Sequence, residues 1–321
     1  MTDAEINNVF DSLWGDLRLA PSFPIERPLL AHYSSIATLE SIAKNQQLWF
    51  SNPLHMNDLE EVRFGIFAGA NAFRENQRLR DACGSLERFQ LLSRHFEDCF
   101  TRFVNDQLFD TYVLCFAEHE PDNNDGLLSM WRGYGGNGHA AAIIFDLKKI
   151  DYKPGGQPLI MSRVRYGTNI ERTEWVNQKI IEFSELINTH VIPNEKLYIA
   201  AYYLFERLKI FALFSKHDGF KEEREWRAVF LKERDKEKRF EHMIDYSIGR
   251  HGVEPKFKLN IQPLGQYFAD DLSLDKVVDR IILGPTTSSP LALKSVERML
   301  NLVGQPGLAK KVRLSSIPFR P

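Results

Sequence analysis

Strand-forming runs in this sequence are separated by helical stretches of very unequal length, and that spacing restricts the fold more than any other feature. Leu29-Leu30-Ala31-His32-Tyr33-Ser34 and Leu48-Trp49-Phe50 read as strands with one short helix between them. A helical region at about 58–105 then intervenes before the β-prone run Thr111 to Ala117. A second helical stretch, about 169–214, precedes the strand that opens near Glu225. A doubly wound parallel sheet needs regular alternation of strand and helix. Its absence makes this an α+β chain, read as a single domain over 1–321 with an N-terminal helix and linker at 1–28.

Local signals refine the outline. Thr2 with Glu5 is a capping-box pattern, and Pro21, Pro24 and Pro28 mark an extended linker behind that first helix. Ser35 is a helix N-cap, with Ile36, Leu39, Ile42 and Ala43 on one face and Asn45 as the stop. Gly135-Gly136-Asn137-Gly138 reads as a tight turn feeding a buried strand from His139 to Phe145, and another strand is expected at about 160–166. Tyr198, Tyr202, Tyr203 and Phe205 recur at helical spacing and read as core. Late strands are expected at about 276–285 and at Val312 to Leu314, with a helix capped by Ser288 or Ser289 between them.

Composition excludes some classes. With 321 residues, 43% of them hydrophobic, the chain can bury a large core. Lys and Arg number 41 against 43 Asp and Glu, so no strongly basic balance demands nucleic acid. The basic cluster Lys310-Lys311-Val312-Arg313 reads as a charged strand edge. Three cysteines, Cys83, Cys99 and Cys115, in no ligand-like spacing indicate a reducing compartment. No apolar run approaches the roughly 18 residues of a membrane span, and the start carries no apolar signal core. The expectation is a cytoplasmic protein that does not engage a membrane.

No Walker-type, Rossmann, zincin or nucleophile-elbow motif is present. Four segments can carry chemistry instead. Ala31-His32-Tyr33-Ser34-Ser35 sets an imidazole and hydroxyls at a strand end facing a helix start, where His32 can donate to a sugar hydroxyl and the helix amides suit a pyrophosphate. Ser51-Asn52-Pro53 with Asn57-Asp58 is a polar turn one helix away from the first segment. Trp131 and Tyr134, three apart, would put two rings on one side of a turn, suited to stacking on a flat ring. Glu223-Arg224-Glu225-Trp226-Arg227 places two carboxylates two residues apart at a strand mouth. Strand alternation would aim both, and Arg227, into one cleft, with Trp226, Ala228 and Phe230 on the packed face. Each segment also has a plainer reading as a cap, a turn, core packing or solvated charge.

Taken in order, H-Y-[ST]-S-x-x-x-L-x-x-I (His32 to Ile42), L-W-x-S-N-P-x-x-x-N-D (Leu48 to Asp58), Cys115-Phe116, M-W-x-x-Y (Met130 to Tyr134), E-x-E-W-R (Glu223 to Arg227) and I-x-L-G-P (Ile281 to Pro285) resemble a bacterial family known only as a domain of unknown function. The same order resembles the ADP-ribosyltransferase superfamily, with its split β-sheet core. In that superfamily a first strand carries His or Arg beside a small hydroxyl residue, a middle segment supplies an aromatic or serine, and a late strand carries the catalytic Glu. The resemblance implies a catalytic domain with NAD as substrate and long helical insertions. His32 and Ser34 would hold the adenosine-side ribose, with Tyr33, Ser51, Asn52 and Arg227 also at the NAD site, and Trp131 or Tyr134 against nicotinamide. Glu225 would be the catalytic carboxylate and Glu223 would face the acceptor. No S-T-S stands on the middle strand here. The implied acceptor is a macromolecule, protein, RNA or DNA, as for a bacterial toxin or anti-phage effector with an antitoxin partner. Two rival readings remain open: a non-enzymatic nucleotide- or nucleic-acid-binding module, and a metal-dependent nuclease or hydrolase built on His32, Asp58 and the glutamates.

Overall fold

The capping signals act as read. Thr2 and Glu5 form a reciprocal box at the helix Asp3–Asp11. A second box, Thr168 with Glu171 at the helix Asn169–Thr189, is not among the expected caps. Ser35 Oγ accepts from the Thr38 amide and starts the helix Ile36–Asn45. That helix ends at Asn45 as expected, and Gln46 behind it takes up φ 52°.

The computed structural model describes residues 1–18, 21–56, 59–134, 140–150, 159–249, 252–262 and 272–318. The expected turn at Gly135 to Gly138 and the Asn57-Asp58 pair lie outside these. Twelve strands are described: β1 (Leu29–Ser35), β2 (Gln47–Ser51), β3 (Thr111–His119), β4 (Ala140–Asp146), β5 (Leu159–Arg163), β6 (Arg165–Gly167), β7 (Ser215–His217), β8 (Glu225–Leu231), β9 (Ile244–Gly249), β10 (Gly252–Asn260), β11 (Val278–Leu283) and β12 (Val312–Leu314). The chain divides into two units. A helical unit takes 1–20, 52–111 and 164–220, and a sheet unit takes 21–51, 112–163 and 221–321. No described helix is long and apolar enough to cross a membrane.

The helical unit gathers both expected insertions and the N-terminal helix. Gly65 and Gly69, four apart on the helix Leu59–Glu75, meet Ala212 and Leu208 of the helix Leu197–Leu213. A Cβ at Gly65 would stand 2.7 Å from the Ala212 Cβ, so the helices approach at glycine distance. Stacked rings fill the rest, Phe73 on Phe96 at 4.0 Å and Trp175 on Phe211 at 3.8 Å. Arg207, buried beneath Trp175, pairs with Asp16 at 2.6 Å. Burial works against the Asp16 charge, but Arg207 and Lys179 outweigh it and hold the carboxyl below its ordinary range. The aromatic segment divides: Phe205 is core, whereas Tyr198 and Tyr202, one helical turn apart, face solvent.

The sheet unit is mixed. Its strand path runs β12-β11-β4-β1-β3-β2-β10-β9, with β8 on β3 and β5 on β8, ten strands among the described residues. β1 lies antiparallel between β4 and β3. Apolar clusters cover both faces. Leu30, Phe116, Phe145, Trp226, Ala228, Phe230 and Phe257 belong to the larger, which the helix Ile36–Asn45 joins through Leu39, Ile42 and Ala43. Ala31, Tyr33, Ala117, Trp131 and Ile144 belong to the smaller. Alternation along each strand sorts the residues between the faces. The basic run at 310–313 supplies β12, which lies parallel to β11 at the end of the strand path.

Candidate functional site

One edge of β3 serves two strands. Residues Ala117 to His119 pair with β1, and Val113 pairs with Ser51 of β2. Glu118 donates from its amide to the Arg224 carbonyl at 2.9 Å, on the other edge, so alternate residues of β3 serve β1 and β2. Between the two pairings stands Cys115, whose carbonyl accepts from His32 Nδ1 at 3.2 Å. The register that joins Leu29 to His119 ends at Ala31 and Ala117, where β1 leaves β3. The chain then turns through the Ser35 cap and returns from the helix Ile36–Asn45 into β2. The result is a wedge of about 270 Å³, lined by His32, Ala37, Thr38, Ser41, Ile42 and Trp49.

His32 is the polar centre of this wedge. A carbonyl only accepts, so Nδ1 carries the ring proton and Nε2 of the neutral ring is a bare acceptor. Burial lowers the His32 pKa, and the Cys115 hydrogen bond offsets part of that, so the neutral ring is the working form. On this tautomer Nε2 can accept from a hydroxyl but cannot donate to one, as the sequence-based expectation had it. Ser34, two residues on and so on the same face, is 8% exposed, and its Oγ has no hydrogen-bond partner among the described residues. Trp49 shows one ring face to the Lys258 ammonium at 4.4 Å. Nothing in its local pattern beyond the L-W-x-S-N-P run marked it as a wedge residue.

Several expected site residues go elsewhere. Tyr33 points to the opposite face of the sheet, packs edge-on against Trp131 at 4.8 Å and accepts from the Leu127 amide at 2.9 Å. Burial pushes its phenol up to about 12. Trp131 is 0% exposed and donates from Nε1 to the Asp125 carbonyl at 2.8 Å, whereas Tyr134 is 48% exposed and its hydroxyl donates to Glu223 at 3.3 Å. The two rings therefore form no shared platform, because the short helix Leu128–Tyr134 lays one ring in the core and the other on the surface. Asn52 is fully buried; its amide donates to the carbonyls of Leu108, Phe109 and Thr111, and Oδ1 accepts from the Leu54 amide. It is a turn clamp, buried out of reach of a ligand. Ser51 accepts from Lys256 Nζ at 2.9 Å.

The glutamate pair also separates. A 3-10 turn covers Asp218–Glu223 and Arg224 has φ 45°, so the strand begins only at Glu225 and its alternation does not reach Glu223. Glu225 and Arg227 do share a face. They form a two-point ion pair at 2.6 and 3.2 Å, with the side chains 3% and 1% exposed. Trp226 is core, as expected, and donates to Glu118 at 3.1 Å. Glu118 gathers Arg224 at 2.6 Å and Arg163 at 3.5 Å as well. Burial would raise its pKa, but the Trp226 bond and the two arginines hold it low. Trp226 shares a cluster with Phe116, and the His32 ring meets Phe116 at 5.9 Å. His32 and Trp226 therefore share a face of the sheet, and Glu225 looks to the other. No three His, Cys, Asp or Glu side chains among the described residues are grouped to hold a metal ion.

A family model described as "Protein of unknown function (DUF2971)" matches residues 130–228, from the helix that carries Trp131 into β8. No curated protein and no solved structure matches the chain.

Proposed function

We propose that the chain is an NAD-consuming ADP-ribosyltransferase that binds the adenosine end of NAD in the wedge between β1, β2 and the helix Ile36–Asn45. The observation that carries this reading is the opening of the sheet at Cys115, with a neutral His32 held across it and Nε2 turned to accept. A ribose hydroxyl is a matching donor. The first turn of a ten-residue helix, at Ala37, offers the pyrophosphate the positive end of that helix, the Thr38 amide being taken by the Ser35 cap. Trp49 offers a ring to adenine. The strand order is compatible with the same reading: β1 with its His and Ser, the middle strand β3, and β8, which opens on Glu225, are successive neighbours in the sheet.

Cleavage of the nicotinamide–ribose bond builds positive charge on the ribose, as in glycoside hydrolysis. A carboxylate held at that ribose stabilises the cation, an effect on the order of a few kcal/mol. The resemblance assigns that role to Glu225 and the acceptor to Glu223, although Glu225 is buried against Arg227 on the face of the sheet away from His32, which makes the transfer step the part of this reading that the test below decides. The acceptor is a macromolecule in this reading.

A second reading follows from the buried Glu225–Arg227 pair on the face away from His32. It makes the chain a nucleotide-binding module with no transfer step. One experiment separates the two. Purified protein is incubated with labelled NAD, alone and in lysate, and NAD loss and label transfer are measured for wild type and Glu225→Gln, with melting curves to confirm folding. Transfer requires turnover in wild type and its loss in Glu225→Gln. Binding of NAD that is equal in both proteins, without turnover, leaves the module.

A further inference from the structure

The helical unit carries a cleft that none of the chemistry above uses. It measures about 570 Å³ and is lined by Phe64, Phe67, Phe220, Glu61, Asn169 and Arg172, among others. Its formation follows from the Gly65 and Gly69 contact. Holding that face of the helix Leu59–Glu75 against its neighbour leaves Phe64 and Phe67 on the flank. Phe67 and Phe220 are each 46% exposed, although both are large apolar rings. Arg172, nearly buried, lies over the Phe64 ring at 4.2 Å and pairs with Glu61 at 2.6 Å, so rings and ions are held as one framework. Phe67 is propped edge-on by Phe100 at 5.5 Å, and Phe220 carries the Lys216 ammonium at 4.8 Å.

We propose that this cleft binds a nucleobase, presented by a nucleotide, between the rings of Phe67 and Phe220. The chemistry of the walls selects that class. Exposed rings take a flat partner by stacking. A hydrocarbon or a phenyl side chain would fill the same space but would strip water from the exposed Asn169 amide at its rim without replacing its hydrogen bonds. A base has donors and acceptors around its rim and satisfies both demands. The cleft has the volume of a small-molecule site. The unit has more acidic than basic side chains overall, which favours one or a few nucleotides over a long polyanion. The site stands independently of the NAD reading, because it shares no residue with the wedge.

The test uses the full chain. GMP, AMP, CMP and UMP are titrated by calorimetry, and short single-stranded oligonucleotides by fluorescence anisotropy, into wild type, Phe67→Ala, Phe220→Ala and His32→Ala. Both phenylalanines are half exposed, so their truncation leaves the core intact, which circular dichroism checks. Each ring variant is also titrated in the His32→Ala background, which removes any nucleotide binding at the wedge; the binding that remains there is expected to weaken by roughly tenfold or more on loss of either ring. Tight binding of mononucleotides marks a free nucleotide as the ligand; binding only of oligonucleotides marks a nucleotide within a strand. The proposal is overturned if no nucleotide or oligonucleotide binds, if both ring variants in that background bind as His32→Ala does, or if His32→Ala alone abolishes binding.

Discussion

At the scale of single residues, the hydrogen bond from His32 to Cys115 decides which atom faces the wedge. The depressed His32 pKa has a definite sign in solution. Above about pH 6.5, the ordinary histidine value, the ring is neutral in both the folded and the unfolded chain, and Nε2 accepts. As the pH falls below that value, the unfolded chain takes up the proton first, so this site withdraws stability from the fold. Below the folded pKa, Nε2 becomes a donor and loses its match to a hydroxyl. NAD affinity should therefore be flat from pH 8 to about pH 6.5 and fall under more acid conditions, and His32→Ala should bind weakly with no such dependence. Calorimetric titration across the range measures both. Asn52 makes a contrasting prediction. Asn52→Ala removes the side-chain donor shared by the Leu108, Phe109 and Thr111 carbonyls and the acceptor of the Leu54 amide, and should cost on the order of 1–3 kcal/mol in denaturant unfolding. Its NAD affinity should match that of wild type.

At the scale of elements, β8 is entered in a way that no regular strand pattern shows. β8 follows a 3-10 turn and a left-handed Arg224, whose guanidinium is fixed by Glu118 and Glu120. This break detaches Glu223 from the alternation that a run of E-x-E-W-R suggests. The loop before the helix Leu128–Tyr134 has a similar constraint. Gly126 has φ 76°, and a Cβ there would stand 2.9 Å from both the Trp131 ring and the Tyr33 hydroxyl. Gly126→Ala should lower the melting temperature by several degrees, through strain and displacement of Trp131 together. Trp226→Ala should cost about 3–5 kcal/mol, the usual penalty for removing a buried large ring. If Trp226 faced a ligand instead, its loss would change affinity and spare stability.

At the scale of the whole molecule, each unit is assembled from three separate stretches of chain. A protein ending at residue 220 would retain every segment of the helical unit but lose β8 and β11, the neighbours of β3 and β4. It should be insoluble or unfolded by circular dichroism, because buried strands would become open edges. Much of this organisation was legible in the sequence. The two insertions, the strand at His32 to Ser34, the Ser35 cap and the late strands follow from caps and periodicities of a few residues. The wedge was legible only in part: His32 and Ser34 were marked, whereas Trp49 and Ser41 had no local signal, since a strand tryptophan and a helix serine have many uses.

The sequence alone determined the local geometry: that Glu225 and Arg227 share a face, that Trp226 turns away from them, and that His32 and Ser34 point together. Side-chain direction along a strand is fixed by backbone geometry over two residues, so no distant partner is needed to know it. Tertiary structure alone decided which faces meet. The His32 ring bonds a carbonyl 83 positions away, and the Asn52 amide is spent on carbonyls 56 to 59 positions ahead. Trp131 is core while Tyr134 is surface, and Glu225 lies on the side of the sheet away from His32. These outcomes depend on strand order and on where β1 parts from β3. Both are set by pairings between distant segments, whose cost and reward no local pattern records.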